Sequence, residues 1–164
     1  MHWNANPANM LCYTPPVTFP LSLMYSLQKF LRTSDSWSLL VLRLSVGGIM
    51  LPHGLQKIGL IGDGNWAGSM GFLTGMGIPA IIAALVIIGE SVGALSLILG
   101  FLTRFCAASI GIIMIGAIAL VHGKNGFSAG TGGFEYQLLI VGTSLALTLA
   151  GGGKWSLDRM IGGK

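Results

Sequence analysis

Residues 79–101 read PAIIAALVIIGESVGALSLILGF. A helix of this length is sufficient to cross a bilayer, which takes about 20 predominantly apolar residues. At its centre stands Glu90. A charge at bilayer depth costs roughly 2.5–3.5 kcal/mol on insertion scales, so it is expected to face a bundle interior and to find a partner there. The first apolar run, SWSLLVLRLSVGGIMLPHGLQKIGL at 36–60, offers Arg43. At 1.5 Å per residue, Arg43 lies about 9 Å from the cytoplasmic end of its helix and Glu90 about 16 Å from the same end of its own. An arginine side chain bridges that offset, and an Arg43–Glu90 ion pair is expected.

The rest of the chain agrees with a membrane class. Of 164 residues, 52% are apolar and 9% charged, against roughly 25% charged in soluble domains. The net charge of +4 does not indicate nucleic acid, because the basic residues are scattered and form no stripe. Four apolar segments are expected to be helices: about 37–60, 79–101, 103–121 and 134–150. The last is followed by Gly151, Gly152 and Gly153, a strong helix stop. The fold class is therefore all-α, an integral membrane four-helix bundle spanning about residues 37–160. Gly89 and Gly93, Ser96 and Gly100, and Ala107 and Gly111 place small residues four apart, a spacing that lets helix backbones approach closely in lipid. The loop 62–79, which carries Trp66, Met70, Phe72, Leu73 and Met76, is too apolar to be a solvated linker. It reads as an interfacial loop or short helix capping the bundle, or else as a lid.

Residues 1–36 form a separate N-terminal segment. Disorder is expected to about Pro20, then an interfacial helix from Met24, which is also a candidate start codon. Basic residues near the helix ends favour the side holding Lys29, Arg32, Arg104, Lys154, Arg159 and Lys164 over that holding Lys57 and Lys124. By the positive-inside rule both termini are expected in the cytoplasm. Trp37 and Trp155 then mark one interface. Cys12 and Cys106 make no metal or haem motif.

Six ionisable groups fall in or beside the spans: Arg43, His53, Lys57, Glu90, His122 and Glu135. If they converge, they form a polar pocket opening outward. His53 and Lys57 lie one turn apart, and Pro52 frees a backbone carbonyl near Gly48. Two histidines and two glutamates at this spacing match no compact metal motif, and no metal is expected.

The order Arg43, then HGLQK at 53–57, GESVG at 89–93, Gly100, TR at 103–104 and FEYQ at 134–137 resembles the DoxX family. The resemblance implies a small four-helix inner-membrane protein of bacteria or archaea and an oxidoreductase function, one relative being a subunit of a thiosulfate:quinone oxidoreductase. Arg43, His53, Gly54, Lys57 and Glu90 are the matching positions. The expected function is a redox subunit that binds a quinone or another small redox molecule between its helices and holds no cofactor of its own. His53 and Glu90 would relay protons, and Arg43, Lys57, Glu135 and His122 would line the pocket. Electrons would come from a soluble or membrane-bound partner protein. The alternatives are a non-catalytic anchor that recruits a soluble redox or stress-response partner, and a small solute transporter.

Overall fold

Ser36 starts the first long helix: its hydroxyl accepts from the Ser38 N–H at 3.2 Å, an N-cap. In the computed structural model, which describes residues 30–31 and 33–162, this helix, α1, runs Trp37–Lys57 and passes through Pro52 without ending. The expected disorder lies outside the described residues, as does the expected interfacial helix before Phe30; Phe30 and Leu31, which belong to that expected helix, are described and helical.

Asn65 caps a short helix, α2 (Trp66–Gly75), through a 2.7 Å bond from the Gly68 N–H to its side chain. The apolar loop is therefore a short capping helix. Leu73 and Met70 of α2 pack on Ala83 and Ile87 in the opening turns of the next helix.

That helix, α3 (Ala80–Leu99), is α-helical to Ile88, takes one wider π-turn at Gly89–Gly93, and returns to α through Leu99. Gly100 ends it in the left-handed region, φ +70, with Ser156 so close that an added Cβ would lie 2.5 Å from the serine Cβ. Only glycine fits both demands. After two residues, α4 begins; it runs Thr103–Asn125 and includes a second π-turn at Ile118–His122. A loop leads to α5 (Glu135–Ala150), which stops at Gly151, and to a final short helix, α6 (Leu157–Gly162).

No strand occurs among the described residues. Successive long helices run antiparallel, α4 packs most extensively on α5, and α1 packs on both α3 and α5. The core takes Val46 and Met50 from α1, Ala94 and Leu97 from α3, Ala107 and Ile110 from α4, and Ile140 and Leu147 from α5. Around it, Val41, Ile81, Leu85, Val92, Phe105, Ile112, Leu139 and Leu149 face outward with two-fifths or more of their surface exposed. An apolar exterior of this extent needs an apolar solvent. Helices α1, α3 and α4 are each long and apolar enough to cross a membrane. Helix α5, at 16 residues, reaches about 24 Å.

One end of the bundle is closed by the two ends of the described chain. The Thr33 hydroxyl accepts from the Gly153 N–H at 2.7 Å, and the Lys154 N–H donates to the Ser36 carbonyl. Arg159 grips Asp35 through two bonds, 2.5 and 3.0 Å, and these hydrogen bonds hold the guanidinium above its usual pKa. Trp37 and Trp155 meet edge to face at 5.1 Å, with Lys154 over the Trp37 ring. The two tryptophans thus share one end, as expected.

Candidate functional site

The buried charges of α1 part company. Arg43, Gly47, Met50, Gly54 and Lys57 follow a heptad along its inner face, and the first four are buried. Arg43, 2% exposed, does not reach Glu90. Its guanidinium donates to the carbonyls of Leu97 (3.1 Å) and Ile98 at the end of α3, and to those of Lys154 (3.3 Å) and Trp155 (2.7 Å). The expected Arg43–Glu90 pair is thereby corrected. The carboxyl end of α3 has carbonyls with no helical partner, it lies beside Arg43, and Glu90 is two helical turns further in. The fork geometry of arginine suits several such acceptors at once.

Asp158 completes this end. Its carboxylate accepts from the Leu102 and Thr103 N–H groups at 2.7 and 2.8 Å, capping α4 and holding Leu102 at φ +47. It is 2% exposed, and its charge acts on Arg43. Sequence reasoning passed over Asp158, which stands outside every apolar run and whose role arises only when α6 folds back.

Glu90 pairs instead with Lys57: Nζ is in direct contact with Oε2, and the side chains are 32% and 5% exposed respectively. Three local features produce the contact. Gly54 allows α1 to lie against the backbone of α3, since a Cβ there would strike the Glu90 carbonyl and come within 2.5 Å of the Ser91 Cα. The π-turn at Gly89–Gly93 carries Glu90 on a widened coil, an arrangement frequent at functional sites. The Ser69 hydroxyl of α2 donates to the Lys57 carbonyl at 3.1 Å, fixing the end of α1. An ion pair held between apolar helices must overcome the desolvation of both charges. Among the described residues, Glu90 is the one partner of the Lys57 ammonium.

The other expected pocket residues do not join them. His53 is exposed on the outer surface of α1, one turn before Lys57. His122 Nδ1 bonds the Gly132 carbonyl at 2.8 Å, and Glu135 accepts from the Ala129 N–H at 2.8 Å. Both tie down the loop between α4 and α5. A six-membered convergence is therefore replaced by one pair, Lys57 and Glu90, with His53 exposed near the same helix end. In the FEYQ stretch the inward-facing residue is Gln137, 9% exposed, whose Oε1 is buried and lacks a hydrogen bond among the described residues.

A helical membrane protein with a single ion pair between its first and third helices is the class these features define. Residues 38–123 match the DoxX family model. The chain is 31% identical over 135 residues to the inner membrane protein YqjF of Escherichia coli, covering 82% of this chain and 99% of that one. It is 32% identical over 109 residues to "Putative oxidoreductase CatD" of Bacillus subtilis, 66% of this chain and 77% of that one. It is also 32% identical over 149 residues to the membrane protein Rv3486 of Mycobacterium tuberculosis, 81% and 86% of the two chains. No solved structure matches. The chain belongs to the DoxX family and is a bacterial membrane protein.

Proposed function

We propose that this protein is the membrane subunit of a quinone-linked oxidoreductase, with α5 as a fourth span, both termini in the cytoplasm, and the Lys57–Glu90 pair as the proton-handling site. The observation that carries the reading is a buried carboxylate paired to a half-exposed ammonium near the middle of α3. The name of the Bacillus relative, "Putative oxidoreductase CatD", points the same way.

The chemistry follows from the order of the groups. His53 is exposed toward lipid, Lys57 half-exposed and Glu90 buried, a gradation that suits a lipid-soluble ligand arriving sideways through the bilayer. Quinone sites need an apolar slot with a few polar groups that fix orientation. Lys57 donates to one quinone oxygen. Reduction to the quinol takes two electrons from the reduced cofactor of a partner dehydrogenase and two protons. Lys57 and the protonated imidazole of His53 each give one proton to a quinone oxygen; Glu90 then passes a proton from water to Lys57, and His53 takes one from water at the helix end. Arg43, bound to four carbonyls, belongs to the frame and takes no part in the transfer.

The test is extraction of quinone from protein purified in native lipid. The unaltered chain should retain quinone, and Glu90→Gln and Lys57→Met should each lower retention about tenfold, which is 1.4 kcal/mol. Equal retention in all three would overturn the reading. Capture of a soluble redox enzyme that is indifferent to Glu90→Gln would establish the anchor instead.

A further inference from the structure

The inward face of α5 carries Gln137, Ile140, Ser144 and Leu147, all buried. Ile140 and Leu147 join the core shared with Met50 of α1, Leu97 of α3 and Ile110 of α4, so the face they share with Gln137 is turned to the bundle interior. Gln137 is 9% exposed, and its Oε1 is buried with no hydrogen bond among the described residues. An unmatched amide oxygen is costly in an apolar core. Contacts between the helices fix its depth. A Cβ added at Gly111 of α4 would lie 3.3 Å from the Ser144 Cβ, and one at Gly89 of α3 would lie 2.7 Å from the Ile113 Cδ1. Gly54 of α1 rests on the backbone of Glu90 and Ser91. Counting from these contacts at 1.5 Å per residue, Lys57 stands about 5 Å farther from the Trp37–Trp155 end than Glu90, and Gln137 about 9 Å farther. By the same count Gln137 is level with Ile118, where α4 begins its π-turn. Helices α1, α3 and α5 thus bring an ammonium, a carboxylate and an unmatched amide to one stretch of the bundle.

We infer that Gln137 is a ligand-binding residue whose amide holds the quinone oxygen that Lys57 protonates. The inference rests on the quinone reading above and adds a second hydrogen-bonding group to it. A carbonyl oxygen has two lone pairs and takes two donors. Lys57 supplies one from α1, and the Gln137 NH₂ supplies the other from α5. An amide turned by half a revolution about its last bond exchanges its donor end for its acceptor end. Before reduction the NH₂ donates to the quinone carbonyl; after reduction Oε1 accepts from the new hydroxyl. Gln137 therefore serves both redox states and neither gains nor loses a proton. A carboxylate in its place would repel the carbonyl oxygen, and an ammonium could not accept from the hydroxyl. His53, exposed on α1, is left to the second oxygen. The wider coil at Gly89–Gly93 of α3 and at Ile118–His122 of α4 flanks this stretch on two sides, and such turns are frequent where a helix serves a site. A buried water would also satisfy Oε1, but it would make ligand retention indifferent to Gln137.

The experiment uses the full chain purified in native lipid. Quinone retention is measured first. Infrared spectra are then taken at saturating menadione or decylubiquinone, chosen to match the quinone retained and carrying a heavy-carbon label at one carbonyl or the other. In the unaltered protein the stretch of the doubly bonded oxygen should lie below that of its partner. Gln137→Leu should cut retention about tenfold and move the lowered stretch part of the way back, as Lys57→Met should. Thermal unfolding of quinone-free Gln137→Leu should hold level or rise, because an apolar group replaces an unmatched amide. If the unaltered protein retains no quinone, the quinone reading and this inference fall together. If it does, and Gln137→Leu retains as much or leaves both stretches in place, this inference alone falls and the Lys57–Glu90 site stands. Retention lost together with a lower Tm would make Gln137 a packing residue and would overturn the assignment as well.

Discussion

Arg43 and Lys57 stand on the same face of the same helix, yet their surroundings differ in kind. Arg43 is sealed among four carbonyls drawn from two separate segments, with the Asp158 carboxylate acting on its charge. Lys57 has a single ionic partner, remains partly open, and emerges beside a π-turn. A buried guanidinium whose two terminal nitrogens are bound to four carbonyls, its Nε having no hydrogen bond among the described residues, holds a fold in one arrangement. A cation with a single partner and an open side can exchange that partner for a ligand. The contrast separates the framework of this bundle from its candidate chemistry, although both begin as a basic residue in an apolar helix.

The sharpest way to break the contrast is Arg43→Ala. It leaves carbonyls at the end of α3 and around residue 154 without donors and strips a buried charge from beside Asp158. Removing one partner from such a set costs about 3–5 kcal/mol. Thermal unfolding in detergent should show the largest destabilisation of any variant named here, and Arg43→Lys should not restore it, since an ammonium cannot reproduce the fork.

Gly54→Ala comes next. The new methyl meets backbone atoms of Glu90 and Ser91, so the helices must separate, at about 1–3 kcal/mol. If Gly54 sets the ion pair, quinone retention should fall together with stability; loss of stability alone would sever the link between packing and site.

Smaller still is the effect of Glu90→Gln on unfolding. Lys57 can turn outward once released, so the loss should be about 1 kcal/mol, within the ordinary range for a hydrogen bond. A double-mutant cycle should find coupling of Glu90 with Lys57 and additivity of Glu90 with Arg43. Coupling of Glu90 to Arg43 would restore the pairing that sequence alone suggested.

The smallest effect belongs to Asp35→Asn. Its grip on Arg159 is exposed to water, so the shift in thermal unfolding should be the smallest of the set and should shrink further as salt is added.

Much of the architecture could be read from residue order. The apolar runs marked four helices, each ending within about four residues of the observed position. Gly151, Gly152 and Gly153 marked one stop, and a capping helix was one of the readings of the apolar loop. The choice of partner for Glu90 could not be read in the same way. Depth along a helix made Arg43 the nearer candidate, but no spacing rule counts the free carbonyls at the end of α3 or the strand of chain at 154–155 that returns to them. The π-turns were equally hidden: GESVG and IALVH contain nothing that a 3.6-residue period distinguishes from α-helix. Gln137 and Asp158 escaped because the first was quoted only as part of a motif and the second sits in a polar tail.

That tail has a bearing on biogenesis. The guanidinium in the first span is satisfied in part by peptide groups made 111 and 112 residues later. The earliest helix must therefore enter the bilayer carrying a cation whose final acceptors have not yet left the ribosome. Insertion and completion are separate events here, and a chain that stopped at Ala150 would hold α1, α3, α4 and α5 while lacking the latch that locks them.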